Sequence, residues 1–384
     1  MKENIAMQSS RLVSLDVFRG ITVAAMILVN NPGDWGNIYA PLKHAEWHGC
    51  TPTDLIFPFF LFIVGVSIAF ALGTKKAKNL PDKDVFISVL KRSLILFGLG
   101  IILALFPDVF LDPVTSFKNL RIPGVLQRIG VVFMFCAVLF YKTNAKVQLG
   151  VFFAILIIYW ALLNIVQVPG GIPPNLEKET SLAAWLDRAV FSEKHLWKLS
   201  KTWDPEGLLS TLPAIASGMS GTLVGIWLRR TDILPDKKVL WMIGAGILSV
   251  IAGLIWDFSF PMNKALWTSS YVLFTSGLAM LFLAVFYWII DIKSNRVFTK
   301  PFVVYGVNAI TVYFMSTIMA KWFNFITVSK SDGTEVSLKT WLFQSYLAPN
   351  FSPLNASLSW ALSFVLFWLI ILWWMYNRKI IIKV

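Results

Sequence analysis

The chain has 384 residues, of which 57% are hydrophobic and only 14% are charged. A soluble domain carries about 25% charged residues, so this composition excludes an ordinary soluble protein. The formal net charge of +13 would be compatible with nucleic-acid binding. The positive charge follows the pattern of membrane topology instead, as described below, and we predict no nucleic-acid partner.

Ten segments are apolar over the roughly 20 residues that a helix needs to cross a bilayer. They cover about 13–31, 53–73, 85–106, 123–141, 147–168, 208–229, 238–258, 268–290, 301–325 and 358–376. Short connections between such segments favour antiparallel neighbours. We therefore predict an all-α polytopic membrane protein with about ten transmembrane helices in one bundle. A single domain would span residues 1–384.

Three longer loops, about 32–52, 169–207 and 326–357, lie on one side of the predicted bundle. The second of them turns amphipathic after a start rich in proline and glycine. Its apolar residues recur at helical spacing and are Leu182, Trp185, Leu186, Ala189 and Val190. This pattern predicts a short helix that lies on the membrane surface.

Basic residues are concentrated on the opposite side. The connections after even-numbered segments, together with both chain ends, carry most lysines and arginines of the short loops. They are Lys2, Arg11, Lys75, Lys76, Lys78, Lys83, Lys142, Lys146, Arg229, Arg230, Lys237, Lys238, Lys293, Arg296, Lys300, Arg378, Lys379 and Lys383. Cytoplasmic loops carry such an excess, so we expect cytoplasmic termini and an extracytoplasmic loop at 32–52.

The first long loop contains two of the three histidines of the chain, His44 and His48. A lone histidine in a loop is more often structural than catalytic. Here Asn30 ends the preceding segment, Asp54 opens the next, and Glu46 lies between the histidines. A carboxylate beside an imidazole holds a general base in the right tautomer. We predict a catalytic group of His44, Asn30 and Asp54.

The same two histidines have an i, i+4 spacing, which would suit metal ligands on a helix. Gly49 and Pro52 make a helix doubtful at this point, and a third ligand at a fixed spacing is not evident. We therefore predict no metal.

Several ionisable or polar groups fall within the apolar segments: Asp16, Arg19, Arg92, Arg128 and Asn308. A charge at membrane depth costs at least about 2.5–3.5 kcal/mol, so it normally faces a partner or a polar cavity. A structural ion pair of Asp16 with Arg19 is one explanation. The other is a cavity whose arginines bind phosphate through their planar guanidinium groups.

The sequence Trp203-Asp204-Pro205-Glu206-Gly207 precedes the sixth segment on the outer side. Asp204 as a helix cap with Pro205 at the first helical position would account for part of it. Trp203 and Glu206 are also suited to a sugar or an amine. We predict a substrate site formed by these two residues with Trp47, Glu46 and His48.

Six blocks, in order along the chain, resemble the heparan-alpha-glucosaminide N-acetyltransferase family. They are Arg11 to Asn30 with Ser14-Leu15-Asp16-Val17-Phe18-Arg19-Gly20, Lys43 to Pro58, Arg121 to Gly130, Trp203 to Thr211, Leu266 to Tyr271, and Pro301 to Ile310 with Gly306-Val307-Asn308-Ala309. The resemblance extends over nearly the whole chain and is more specific than a short motif.

The resemblance implies transfer of acetyl from cytoplasmic acetyl-CoA to the amine of a glucosamine-type sugar across the membrane. The essential histidine of the family falls on His44, and its nearby polar residue falls on Asn30. Arg19, Arg92, Arg128 and Asn308 are then candidates to bind acetyl-CoA.

Lysosomal members have an additional N-terminal region and span, whereas this chain starts at the first shared block. We therefore expect a bacterial inner (plasma) membrane protein in contact with lipid. A homodimer is left open, since we find no interface signature. The role of His44, as general base or as acetyl carrier, is open too. So are two other functions: an O-acetyltransferase of surface or cell-wall glycan, and a secondary transporter. The lack of a convincing internal repeat disfavours the transporter.

Overall fold

The computed structural model describes residues 12–78, 81–330 and 333–382. Lys2, Arg11 and Lys383 of the charge pattern, and both ends of the predicted domain, lie outside these residues. Fourteen α-helices occur in the described part of the chain. They are α1 (Val13–Asn30), α2 (Ile56–Ala77), α3 (Asp82–Leu105), α4 (Pro113–Lys118), α5 (Val125–Lys142), α6 (Ala145–Asn164), α7 (Leu182–Phe191), α8 (Leu208–Leu228), α9 (Pro235–Asp257), α10 (Ser269–Phe286), α11 (Thr299–Val307), α12 (Ala309–Phe325), α13 (Leu338–Leu342) and α14 (Pro353–Asn377).

Within the described ranges, nine helices are long and apolar enough to span a membrane, and the bent pair α11–α12 makes a tenth. The predicted all-α polytopic membrane fold is confirmed. Helices α3, α6, α9 and α14 expose large apolar side chains outward. Such side chains are stable in contact with lipid. The helices satisfy their own backbone polar groups, as a lipid environment requires.

Helices α2 and α8 pack against each other at the centre of the bundle, and glycines make this contact close. A Cβ on Gly65 would lie 1.9 Å from the carbonyl oxygen of Gly218, and one on Gly221 would lie 2.0 Å from that of Phe62. Any larger side chain would therefore separate the two backbones. Small residues at helix contacts are the usual way in which membrane helices approach one another.

The predicted segment 301–325 is not one straight helix, which corrects the sequence prediction. It breaks at Asn308, where α11 and α12 meet at 79°. The Asn308 amide donates to the carbonyl oxygen of Ile380 at 3.1 Å and accepts from the nitrogen of Ile382 at 2.9 Å. The break therefore satisfies the backbone of the C-terminal tail, a contact that local sequence does not encode.

The long loops contain more regular structure than the sequence indicated. The amphipathic pattern in 169–207 forms α7, as predicted, and the Ser181 side chain accepts from the nitrogen of Ala184 at its start. The loop 326–357 holds an antiparallel hairpin of β1 (Thr327–Ser329) and β2 (Glu335–Ser337), followed by α13. This hairpin was not predicted.

Candidate active site

His44 and Asp54 form a hydrogen-bonded pair where α1 and α2 meet at one end of the bundle. The Nδ1 atom of His44 lies 2.7 Å from Oδ1 of Asp54. The side chain of Asp54 is 1% exposed, whereas that of His44 is 47% exposed. When Nδ1 carries the hydrogen and donates to Asp54, Nε2 is left as a proton acceptor. This is the arrangement of a general base with its orienting carboxylate.

The carboxylate of Asp54 is itself fixed by its own loop. Its second oxygen accepts from the nitrogens of Ala45 and Thr51, each at 3.0 Å, and from the Thr51 hydroxyl at 2.9 Å. The Thr51–Asp54 contacts form a capping box at the short 3₁₀ turn that leads into α2. A buried carboxylate with this many donors remains ionised and stationary.

Lys264, on the loop between α9 and α10, joins this pair. Its Nζ lies 3.0 Å from Nδ1 of His44 and 3.5 Å from Oδ1 of Asp54. Burial lowers the pKa of the Lys264 ammonium and outweighs the raising effect of Asp54 and Glu206. Lys264 was not among the predicted site residues. The available signal was its position two residues before the family-like block that begins at Leu266.

The His44–Asp54 pair opens into a cavity of about 500 Å³, which we call the His44 cavity. Most of the predicted catalytic and substrate residues line it. They are Asn30, His44, Glu46, Trp47, Asp54, Trp203 and Glu206. The structure therefore brings together groups from three separate regions of the sequence.

Three tryptophans form an aromatic wall along this cavity. The rings of Trp47 and Trp203 meet edge to face at 5.1 Å between centroids, and Trp203 meets Trp197 at 5.7 Å. The indole nitrogen of Trp47 donates to the carbonyl oxygen of Leu176 at 2.9 Å, which fixes its orientation. Apolar ring faces beside polar groups are suited to a sugar.

Arg121 links the two carboxylates of the Trp203 block, and it was missed as a site residue. Its guanidinium donates to Asp204 and to Glu206 at 2.6 Å each. Asp204 is not the cap of the following helix, because α8 begins at Leu208, whose nitrogen donates to Asp187 at 2.8 Å. Asp204 therefore forms an ion pair with Arg121 and does not cap the helix. Asp187, which accepts from Leu208 instead, has a pKa that burial raises to about 7.

A second cavity of about 350 Å³, the Arg92 cavity, lies toward the opposite end of the bundle. Its basic lining residues are Arg19, Lys75 and Arg92. The predicted ion pair is present, since Arg19 lies 2.9 Å from Asp16. Arg19 also donates to the Ser67 hydroxyl at 2.7 Å. Arg92 has its guanidinium 4.7 Å from the ring centroid of Phe133, so it packs on an aromatic face at the cavity wall.

Three predicted site residues lie apart from both linings. Arg128 is buried, donates to the carbonyl oxygen of Gly207 at 3.1 Å, and stacks on the ring of Trp267 at 5.2 Å. Since Trp267 lines the His44 cavity, Arg128 supports that wall from behind. Asn308 is occupied by the C-terminal tail, as described above. His48 is exposed, with its Nδ1 3.5 Å from the amide nitrogen of Asn263.

The two cavities follow one another along the same helix faces. On α2, α5 and α12 the residues of one cavity are three or four positions from those of the other: Phe57 and Phe60, Val125 and Ile129, Tyr313 and Ile310. Residues at this spacing lie one above the other on a helix. Along α1, Arg19 and Asn30 are about 16 Å apart at 1.5 Å per residue.

Within residues 12–78, 81–330 and 333–382, no group of three or more His, Cys, Asp or Glu side chains is placed to hold a metal ion.

Residues 11–186 match the family model described as heparan-alpha-glucosaminide N-acetyltransferase, catalytic. A curated human protein, named heparan-alpha-glucosaminide N-acetyltransferase, is 30% identical over 365 residues, covering 82% of this chain and 54% of its own length. The mouse protein of the same name is 28% identical, covering 83% of this chain and 55% of its own. The chain thus spans about half the length of these relatives. The predicted resemblance to this family is confirmed.

Proposed function

We propose that this membrane protein is an N-acetyltransferase that moves acetyl from cytoplasmic acetyl-CoA to the amine of an extracytoplasmic glucosamine-type sugar. The observation that carries the proposal is the alignment of the two cavities along shared helix faces. One cavity is basic, which suits the phosphates of coenzyme A, and the other holds an imidazole–carboxylate pair. An extended thioester arm between them would bring the acetyl group to His44.

The donor end of this proposal rests on the Arg92 cavity. Its lysine and arginines suit a phosphate-bearing ligand, arginine with bidentate geometry. The apolar residues between the cavities would surround the uncharged arm of the donor. Residues of α1 line both cavities, and Ile382 in the C-terminal part of the chain also lines the Arg92 cavity. This supports treating the chain as one catalytic domain.

The acceptor end rests on the His44 cavity. Glu46 and Glu206 can attract an ammonium group, and the tryptophan wall offers apolar surface to a sugar ring. The amine must lose its proton to attack the thioester carbonyl carbon. Nε2 of His44 can take that proton, after which the C–S bond breaks and the coenzyme A thiolate is protonated. Attack by His44 itself, giving an acetyl-imidazole, remains the alternative.

The relatives support the acetyl group and the amino sugar, because both are in the name of the human and mouse proteins. The excess of lysine and arginine at the Arg92 end supports a cytoplasmic location for that end. We propose the bacterial inner membrane as the location of the protein.

The test uses purified protein in sealed vesicles. Two preparations are compared, in which the protein has opposite orientations. Labelled acetyl-CoA is supplied on one side, with glucosamine, its glycosides, N-acetylated sugars and simple amines on the other. We expect label on glucosamine-type amines only when acetyl-CoA is at the Arg92 end. Label on N-acetylated sugars but never on amines would indicate O-acetylation, and sugar uptake without transfer would indicate a transporter.

Replacing Arg92 with glutamine is expected to raise the dissociation constant of coenzyme A by about tenfold or more. A hydrogen bond to a charged group contributes about 1.5–3 kcal/mol, and the amide removes that charge. Arg92 is a cleaner probe than Arg19, whose replacement would also disturb its ion pair with Asp16. The measurement is a titration of the purified variant with coenzyme A.

The matched control is Lys91→Gln, because Lys91 is the exposed neighbour of Arg92 on α3 and does not line the Arg92 cavity. The acceptor KM should stay unchanged in both variants. An unaltered coenzyme A affinity in Arg92→Gln would remove this arginine from the donor site.

A further inference from the structure

Lys264 reaches the reacting end of the His44 cavity from a part of the chain far from His44 in sequence. Its Nζ lies 3.0 Å from Nδ1 of His44 and 3.4 Å from Nε2. The oxygen of Asp54 is farther away, at 3.5 Å. The ammonium therefore contacts the imidazole of His44 as well as the carboxylate of Asp54.

The loop that carries Lys264 is held firmly. Hydrogen bonds fix it on both sides of the lysine: Met262 N to Asp257 Oδ1 at 2.6 Å, Gly49 N to Met262 O at 2.7 Å, Asn263 N to Thr268 Oγ1 at 3.0 Å and Leu266 N to Asn263 Oδ1 at 2.8 Å. Trp267, three residues after the lysine, is 1% exposed and has a φ of +54°. A cation on such a loop is already oriented before substrate binds.

An ammonium group has three N–H donors, and Asp54 at 3.5 Å can accept from one of them. Nδ1 of His44 cannot accept from Lys264 while it donates to Asp54. Lys264 lines the His44 cavity, and its Nζ lies 3.4 Å from Nε2 of His44. A substrate oxygen close to Nε2 would be within their reach.

We propose that Lys264 donates a hydrogen bond to the carbonyl oxygen of the acetyl thioester and stabilises the negative charge that develops there. This inference rests on the proposed acetyl transfer. The amine nitrogen forms a bond to the carbonyl carbon, and the carbonyl electron pair moves to the oxygen beside Lys264. The amine proton passes to Nε2 of His44. When the oxyanion collapses, the C–S bond breaks and the thiolate leaves with that proton. Fixed donors of this kind contribute strongly to catalysis because they need no reorganisation.

The test compares Lys264→Met and Lys264→Arg with the wild type, using acetyl-CoA and a glucosamine-type acceptor in the full-length protein. Loss of a single oxyanion donor costs about 10²–10³-fold in kcat, so we expect kcat to fall by about 10²-fold in the methionine variant. The coenzyme A dissociation constant should stay within twofold, since Lys264 lies in the other cavity. Lys43→Met, a change in an exposed lysine beside His44 that does not line the cavity, is the control.

The pH profile separates this role from a structural one. The groups that face Lys264 are His44, Asp54, Glu206 and Cys50. Its pKa is lowered by burial, and the reaction needs the charged form, so wild-type kcat should fall as the pH rises through that lowered pKa. In Lys264→Arg this alkaline decline should disappear, because a guanidinium stays charged.

An unchanged alkaline decline in the arginine variant, or a methionine variant with wild-type kcat, would overturn the role of Lys264. If Lys264→Met does not fold, the arginine profile decides. A wild-type protein that transfers no acetyl to any amine would instead overturn the proposed function.

Discussion

Replacement of His44 by alanine is expected to lower the rate of acetyl transfer by about 10²–10⁴-fold, the usual contribution of a general base. The reason is geometric: Nδ1 of His44 is bound to the buried Asp54, so Nε2 is the proton acceptor that the cavity offers at this point. Coenzyme A binding should persist, because the basic lining that suits its phosphates belongs to the Arg92 cavity. The measurement is turnover with labelled acetyl-CoA, together with a coenzyme A titration.

The matched control is His48→Ala. It removes a second imidazole from the same loop, but His48 does not line the His44 cavity. Turnover in this variant should remain close to that of the wild type. Near wild-type turnover in His44→Ala would refute both roles proposed for this histidine. Isotope exchange between acetyl-CoA and labelled coenzyme A without acceptor would favour the acetyl-imidazole over the general base.

The number and order of the candidate membrane spans could be predicted because hydropathy reports directly on which segments are apolar enough to enter the membrane. The break at Asn308 could not, since it depends on hydrogen bonds to Ile380 and Ile382, more than 70 positions away. The hairpin 327–329/335–337 was missed for a related reason. Strands of three residues carry almost no periodic signal.

The residues of the candidate site also include some that the sequence predicted and some that it missed. His44 and Asp54 are ten positions apart in the loop and turn that precede α2, so the sequence alone indicated their pairing. Lys264 and Arg121 were missed because each is a single basic residue in a short loop, and its partners lie far away in the sequence. The opposite error concerns Arg128 and Asn308. Both are polar within apolar segments, but neither lines a cavity. Asn308 bonds to the backbone of the C-terminal tail, and Arg128 donates through one nitrogen to Gly207 and packs on Trp267.

The proposed path of the thioester arm between the two cavities gives the second large expected effect. Ile310 is half-buried on α12 and lines the Arg92 cavity one turn from Tyr313 of the His44 cavity. Replacing it with tryptophan would fill the end of the Arg92 cavity through which we propose that the thioester arm passes. We expect transfer from acetyl-CoA to fall to the detection limit. A donor displaced from the reacting position by even about 1 Å can lose 10²-fold in rate.

A truncated donor distinguishes a blocked passage from a damaged site. S-acetyl-N-acetylcysteamine keeps the thioester but lacks the nucleotide, so it can enter the His44 cavity from its open end. Ile310→Trp should transfer acetyl from this compound at the wild-type rate while failing with acetyl-CoA. Met315→Trp is the control, since Met315 lies on the same helix with 44% of its surface exposed away from both cavities. If Ile310→Trp used acetyl-CoA as well as the wild type, the donor would not pass between these helices. Loss of activity with both donors would also contradict the prediction, because a plug at Ile310 leaves the His44 end unchanged.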